Sequence, residues 1–336
     1  MQAASPKRIL LVRFSSIGDI VLTFPVVAAI KSLFPKCQVD YVTKAQYKGL
    51  LSACPQINMV YTLQGSILQL KKEIDFSQYD AILDLHHNLR SRILLFFLFG
   101  KVYRYPKNNL QKWLLTTFKI KPEKPQHVVE RYLSTLACFT SSWTPLIGSS
   151  TYVVPSAAQI DLQRQFDLVL KTYVAIAIGA QFATKRLPTD LLVELVNEVA
   201  FPVLLLGGKE DVSTADEILA AVTKKKVYSA VGLASIHESA WLVQNAKCLI
   251  TNDTGLMHIG AAFELPLFVI WGNTTPDFGM YPYRPEQENV VHFEVPDLSC
   301  RPCSKIGFQS CPKGHFNCMR KHDISSIAAH VNALGA

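Results

Sequence analysis

Arg8-Ile9-Leu10-Leu11-Val12-Arg13-Phe14, then Ser15-Ser16-Ile17-Gly18-Asp19, then an apolar-periodic run to Phe34, is the stretch that decides the fold. Its opening reads as a buried strand, its middle as a turn and its end as an amphipathic helix. A strand running straight into a helix is half of a βαβ unit, and such units build parallel sheets covered by helices on both faces. The pattern recurs. Residues 38–43, 60–63 and 81–85 read as strands in the first half, and 128–139 as a helix. Residues 173–178, 203–206, 248–251 and 267–271 read as strands in the second. Between the latter, 188–199, 211–222, 235–245 and 256–263 read as helices, the first with Pro188 in its opening turn. A Ser-, Thr-, Pro- and Gly-rich stretch, 141–158, separates the halves. The expected architecture is α/β, two facing Rossmann-like domains with parallel sheets and an interdomain cleft, over residues 1–158 and 159–322. A terminal helix within 323–336 is expected to return toward the first domain.

Composition bounds the function. The chain has 336 residues, 49% of them hydrophobic, enough for two cores. Its net charge of +8 suits an anionic partner, but sign alone does not choose among nucleic acid, a phosphorylated lipid surface and a nucleotide-sugar. The first eight residues do not read as a secretory signal. The longest apolar run, 93–99, stands between Arg92 and Lys101 and falls short of the roughly 20 residues a membrane span needs. A cytoplasmic protein touching the inner membrane peripherally is expected.

Ligands in open parallel sheets bind beyond the carboxyl ends of strands, so residues just after strands carry the chemistry. Asp19 sits in the first such turn, where it either caps the following helix or accepts a proton from a substrate hydroxyl. Gly18 beside it would let a ligand approach the backbone. Gly179-Ala180-Gln181-Phe182-Ala183-Thr184-Lys185-Arg186-Leu187-Pro188 joins a strand to a helix and reads as a diphosphate cradle or as a solvated loop. Thr251-Asn252-Asp253-Thr254-Gly255-Leu256-Met257-His258 offers a hydroxyl and backbone N–H groups at a helix start. Its bland alternative is Asp253 as a cap and His258 as a core histidine. Gly207-Gly208-Lys209-Glu210-Asp211 places a carboxylate where a ribose hydroxyl could be taken, or where the next helix needs a cap.

Two further regions stand out. Residues 94–127 interleave aromatics (Phe96, Phe97, Phe99, Tyr103, Tyr105, Trp113, Phe118) with cations (Lys101, Arg104, Lys107, Lys112, Lys119, Lys121, Lys124). That composition fits an anionic membrane face, or a lid with ordinary surface charge. Of eight cysteines, Cys37, Cys54, Cys138 and Cys248 are scattered and read as small buried hydrophobes. Cys300, Cys303, Cys311 and Cys318 cluster, with His315 among them, and could be four zinc ligands, reduced structural thiols or disulfides.

Ordered blocks along the chain resemble glycosyltransferase family 9, the ADP-heptose:lipopolysaccharide heptosyltransferases. They are residues 13–25, Asp84-Leu85 with Arg90-Ser91, residues 127–132, Lys185-Arg186-Leu187-Pro188, and Asp253-Thr254-Gly255 with His258. The resemblance implies a GT-B fold with the donor on the second domain. It implies Asp19 as general base, and Lys185 as the cation on the donor diphosphate. It implies Thr254, Gly255 and His258 as donor contacts, with Glu210 or Asp211 on the ribose; Gly18, Thr184 and Asp253 are expected donor contacts as well. Leu187 departs from the tryptophan usual before that proline. The acceptor, a phosphorylated lipid A core, is expected to meet Arg90, Lys101, Arg104, Lys107 and Lys112.

The implied chemistry is a single inverting displacement. The acceptor hydroxyl attacks the anomeric carbon, and charge grows on the leaving diphosphate, where Lys185 and helix-start N–H groups stand. With no Asp-x-Asp pair in the chain, no catalytic metal or other cofactor is expected, apart from a structural zinc at the cysteines. A monomer with an ADP-sugar donor and no nucleic acid is expected. The competing readings are a nucleotide-sugar 2-epimerase and a nucleic-acid-binding protein.

Overall fold

Apolar runs without alternation become strands buried on both faces, as a parallel sheet between helices requires. The computed structural model describes residues 5–98, 100–140, 152–223, 226–284 and 289–335. The chain divides into two compact units, Met1–Asn108 with Gln126–Val153, and Asn109–Pro125 with Val154–Ala336. The expected passage through 141–158 lies largely outside the described residues, as does Phe99.

The first unit is built on β1 (Arg8–Val12), β2 (Gln38–Lys44), β3 (Met59–Leu63), β4 (Ala81–Asp84) and β5 (Val102–Arg104). They form one parallel sheet in the order β3-β2-β1-β4-β5. Chain order reverses at β1, so the switch point lies between the ends of β1 and β4, where Val12 stands beside Asp84. The expected long first helix is two, Ile17–Val21 and Phe24–Leu33. Pro25 has no N–H to continue the first ladder and suits the opening turn of the second. Thr23 fills the break, its hydroxyl 2.6 Å from the Ile20 carbonyl. The helix expected over 128–139 is α only over Val128–Leu133, and Ser134–Cys138 winds tighter.

The second unit carries β6 (Val174–Ala177), β7 (Val203–Leu206), β8 (Val227–Ser229), β9 (Cys248–Asn252), β10 (Leu267–Trp271) and β11 (Val290–Glu294). Its parallel sheet runs β11-β10-β9-β6-β7-β8, with the switch point between β6 and β9, where Ala177 pairs with Thr251. The terminal helix, Ile324–Asn332, corrects the expectation that it returns to the first domain. Ile324, Ile327, Ala328 and Val331 recur on one face and are buried in the second unit's own core, against the helix Thr189–Glu198. Burying each of the larger ones contributes about 1.5–3 kcal/mol, which holds the helix there.

Candidate active site

In the first unit, Arg13 leaves β1 into a buried position and is held on several sides. Its Nη1 donates to the Leu85 carbonyl at 2.6 Å and the Tyr132 hydroxyl at 3.0 Å, and its Nε to the Ser15 carbonyl at 2.7 Å. Its Nη2 lies 2.7 Å from Asp19 Oδ1. Burial opposes the guanidinium charge, but Asp19 and the surrounding phenols outweigh it, so Arg13 is held charged above its ordinary value. The other Asp19 oxygen accepts from the Ser16 N–H at 3.2 Å and the Ser16 hydroxyl at 2.8 Å. Asp19 thus helps cap the helix Ile17–Val21, in which Gly18 is buried, while its other oxygen is held by a fixed cation.

The loop after β4 reaches the same switch point. Asp84 is fully buried, and its Oδ1 accepts the N–H groups of His86 at 3.2 Å and His87 at 2.7 Å. Its Oδ2 takes the Ser91 hydroxyl at 2.9 Å and Arg104 Nε at 3.3 Å. The Asp84 and Ser91 blocks therefore shape the loop. His86 stands edge-on to Phe14, and its Nδ1 is buried with no hydrogen-bond partner. Burial, then the nearby Arg13 charge, lowers its imidazole to about 3, so the ring is neutral. No motif singles out His86 in the sequence. Its place two residues past a strand end was the available signal.

The expected acceptor cations separate. Arg104 is at the carboxyl end of β5 beside Asp84, Arg90 is exposed on the helix Leu89–Leu94, and the Lys107 carbonyl accepts from Arg131 at 3.2 Å. Lys101 precedes β5, at the amino end of the strands, and its ammonium donates to the Tyr79 carbonyl at 3.0 Å just before β4, so it does not join them. Lys112 lies in the helix Asn109–Phe118, which belongs to the second unit. That segment is fastened there by Lys119, 2.7 Å from the Pro302 carbonyl, and Lys121, 3.2 Å from Asp277.

In the second unit, the loops after β6 and β9 meet at the switch point. Lys185 Nζ lies 2.6 Å from Asp253 Oδ2, which also accepts the Thr274 hydroxyl at 2.8 Å. Arg186 is engaged elsewhere, its Nε donating to the Ala180 carbonyl at 2.7 Å and its Nη1 meeting Asp211 at 3.2 Å. Asp211 is buried, and its Oδ2 accepts the Gly208 N–H at 2.9 Å. Burial raises its carboxyl above the ordinary value. A Cβ on Gly179 would stand 2.0 Å from that carboxylate, which is why glycine stands two residues past β6 here. Asp211 is therefore a cap and a partner of Arg186, while Glu210 is exposed.

Two expected donor contacts lie against the protein itself. The Thr184 hydroxyl is taken on both sides by the Phe308 backbone, accepting its N–H at 2.8 Å and donating to its carbonyl at 3.1 Å. His258 is buried within the helix Gly255–Gly260 rather than presented at its start. Thr254 caps that helix, accepting the Met257 N–H at 3.4 Å, and Gly255 begins it. Thr274 and Arg301 were missed. Arg301 pairs with Glu294 at 2.6 Å and donates to the carbonyls of Gly272 at 2.6 Å and Thr274 at 2.7 Å, fixing the segment after β10.

In the cysteine cluster, Cys300 Sγ lies 3.9 Å from His315 Nε2. Cys300, Cys303, Cys311 and Cys318 are free thiols, and among the described residues no three His, Cys, Asp or Glu side chains converge as metal ligands. Cys303 donates instead to the Cys300 carbonyl at 3.0 Å, and burial pushes the Cys318 thiol up to about 12.

Residues 67–310 match the family described as glycosyltransferase family 9 (heptosyltransferase). Lipooligosaccharide heptosyltransferase 2 of Haemophilus influenzae is 25% identical over 295 residues, covering 80% of this chain and 84% of that protein. A solved glycosyltransferase family 9 structure from Veillonella parvula superposes with a TM-score of 0.78 at 18% identity, covering 99% of this chain and 98% of the other. The E. coli ADP-heptose lps heptosyltransferase II superposes with a TM-score of 0.72 at 20% identity, covering 97% and 98%. These likenesses give the fold as the GT-B type.

Proposed function

The chain belongs to glycosyltransferase family 9 and is a glycosyltransferase, and from this we propose that it moves a heptose from an ADP-heptose donor to a lipopolysaccharide core acceptor. The relatives named for heptose transfer support that choice of sugar and acceptor. The observation that carries the reading is the pair Lys185–Asp253 at the β6/β9 switch point, 2.6 Å apart and braced by Thr274. A cation at the carboxyl end of a parallel sheet, beside a helix start, is where a nucleotide diphosphate binds.

In the proposed reaction, Asp19 takes the proton of the acceptor hydroxyl as its oxygen bonds to the anomeric carbon. The sugar–phosphate bond breaks on the opposite face, inverting the centre, and its electrons pass to ADP. Lys185 and the backbone N–H groups around Thr254 and Gly255 meet the charge that appears there. Because those groups are already in place, transfer needs no metal ion. The exposed Glu210 is the carboxylate left to contact the ribose, since Asp211 is committed to Gly208 and Arg186. The enzyme would work as a monomer at the cytoplasmic face of the inner membrane. No described helix is long and apolar enough to cross a bilayer.

A donor screen against defined core acceptors, with and without chelator, tests the reading. Turnover with ADP-heptose that survives chelator is expected, as is thermal stabilisation by ADP over UDP. Turnover confined to UDP-sugars, or abolished by chelator, overturns it.

A further inference from the structure

The helix that follows the β4 loop, Leu89–Leu94, is apolar on both sides. Its inner side carries Leu94, fully buried with Leu95 in the core of the first unit. Its outer side carries Leu89 and Ile93, four residues apart, and the stripe continues to Phe96 and Phe97 beyond its end. All four are exposed, Leu89 at 74% and Phe97 at 71%. Single exposed apolar residues are ordinary, but a contiguous set of large ones marks a surface that meets something.

The backbone adds a second observation. Phe97 has φ of 72°, the left-handed region that a bulky aromatic rarely adopts. Its ring and that of Phe96 lie 4.1 Å apart between centroids, forming one aromatic wedge on the surface. Cations surround it. Arg90 and Arg92 are exposed on the same helix, and Lys71, on the neighbouring helix Ile67–Glu73, reaches the Phe96 carbonyl at 3.0 Å. Lys72 is exposed on that helix too, with Glu73 the acidic residue at its end. The inner side of Leu89–Leu94 is tied to the active-site loop, because Ser91 donates to Asp84, which fixes His86 and His87.

We infer that Leu89, Ile93, Phe96 and Phe97 form a wedge that inserts into the headgroup region of an anionic phospholipid bilayer, with Arg90, Arg92 and Lys71 on the lipid phosphates. Aromatic and aliphatic side chains ringed by cations suit that interface, where the rings settle among headgroups and the cations are drawn to negative charge. The excess of cations disfavours a basic partner, and the chain's net charge of +8 points the same way. Insertion would hold the carboxyl end of the first sheet at the membrane, where a lipid-linked acceptor presents its sugars to Asp19. The inference rests on the reading of the acceptor as lipid-linked, yet its test does not use transfer.

The test is flotation of the whole protein with vesicles of phosphatidylethanolamine, with and without phosphatidylglycerol. Wild-type protein should float with the anionic vesicles, and less with the neutral ones. The Leu89→Ser/Ile93→Ser and Phe96→Ser/Phe97→Ser variants should bind at least about tenfold more weakly, with unchanged melting temperature. Equal binding by the variants, or no flotation of the wild type, overturns the inference. Equal flotation with neutral vesicles overturns its electrostatic part. A wild-type dimer on gel filtration that the variants convert to monomer, without vesicle binding, assigns the wedge to self-association instead. Flotation as expected without turnover of ADP-heptose would sink the functional reading and leave this one standing.

Discussion

The two units solve one problem in opposite ways. Each sets a cation against a carboxylate at the switch point of its parallel sheet, Arg13 with Asp19 at 2.7 Å and Lys185 with Asp253 at 2.6 Å. In the first unit the cation is the fixture. Arg13 is bonded to two carbonyls and a phenol, and its side chain is 9% exposed against 20% for Asp19. In the second unit the carboxylate is the braced member, taking Thr274 as well as Lys185, and the two side chains are about equally exposed at 15% and 14%. Under the proposed mechanism, the group that would move a proton is aimed by an immovable cation, and the group that would meet a departing anion by a carboxylate it can leave.

This contrast can be broken at each of its members. Asp19→Asn keeps the shape but removes the proton acceptor, and turnover should fall roughly 10²–10⁴-fold with binding of ADP unchanged. Near-normal single-turnover rates would remove Asp19 from that role. Lys185→Ala should lower turnover roughly 10²–10³-fold, with the loss in kcat rather than in acceptor KM. Loss confined to acceptor KM would place Lys185 elsewhere. Arg13→Lys sharpens the distinction, since one ammonium cannot serve Ser15, Leu85, Tyr132 and Asp19 together. It should cost about 2–4 kcal/mol in denaturant unfolding, whereas Lys185→Ala should leave unfolding nearly unchanged. Thr274→Val removes one hydrogen bond to Asp253 and should cost about 1 kcal/mol in kcat/KM, roughly fivefold. An unaltered rate would make Thr274 a packing residue only.

The smallest effect is on pH. His86 is held neutral when folded, down to about 3, while an unfolded histidine gains its proton near 6.5. Between those values the unfolded chain binds the extra proton, so stability falls as pH drops from 6.5 toward 3. Melting curves of His86→Gln should show a shallower fall over that window. Parallel curves would mean that His86 titrates normally.

How far the sequence carried depended on burial. The central strands β1, β9 and β10 were legible because burial on both faces leaves unbroken apolar runs. β5, β8 and β11 were missed, and all three are sheet edges with partly exposed residues, so their patterns are weak. Asp19, Lys185 and Asp253 were legible because each lies in a strand-to-helix turn. Thr274 lies just past β10 and obeys the same rule, but Asn-Thr-Thr reads as an ordinary polar loop. Arg13 was visible only as part of a motif, since no pattern along one chain shows partners as distant as Leu85 and Tyr132. Thr184 and Asp211 looked like ligand contacts because hydroxyls and carboxylates look alike whether they face a substrate or the backbone. Family membership sets aside the epimerase and nucleic-acid readings, which charge and architecture had left open.

The chain changes units at Asn108/Asn109, Pro125/Gln126 and Val153/Val154. A single scission therefore cannot yield two whole halves. Expressing residues 154–336 alone would discard the helix Asn109–Phe118 and strip Asp277 and the Pro302 carbonyl of their lysines. The piece ending at 153 would carry that helix as an orphaned loop. Dissection of this enzyme has to excise 109–125 and graft it to the other fragment, because the molecule is stitched through its middle.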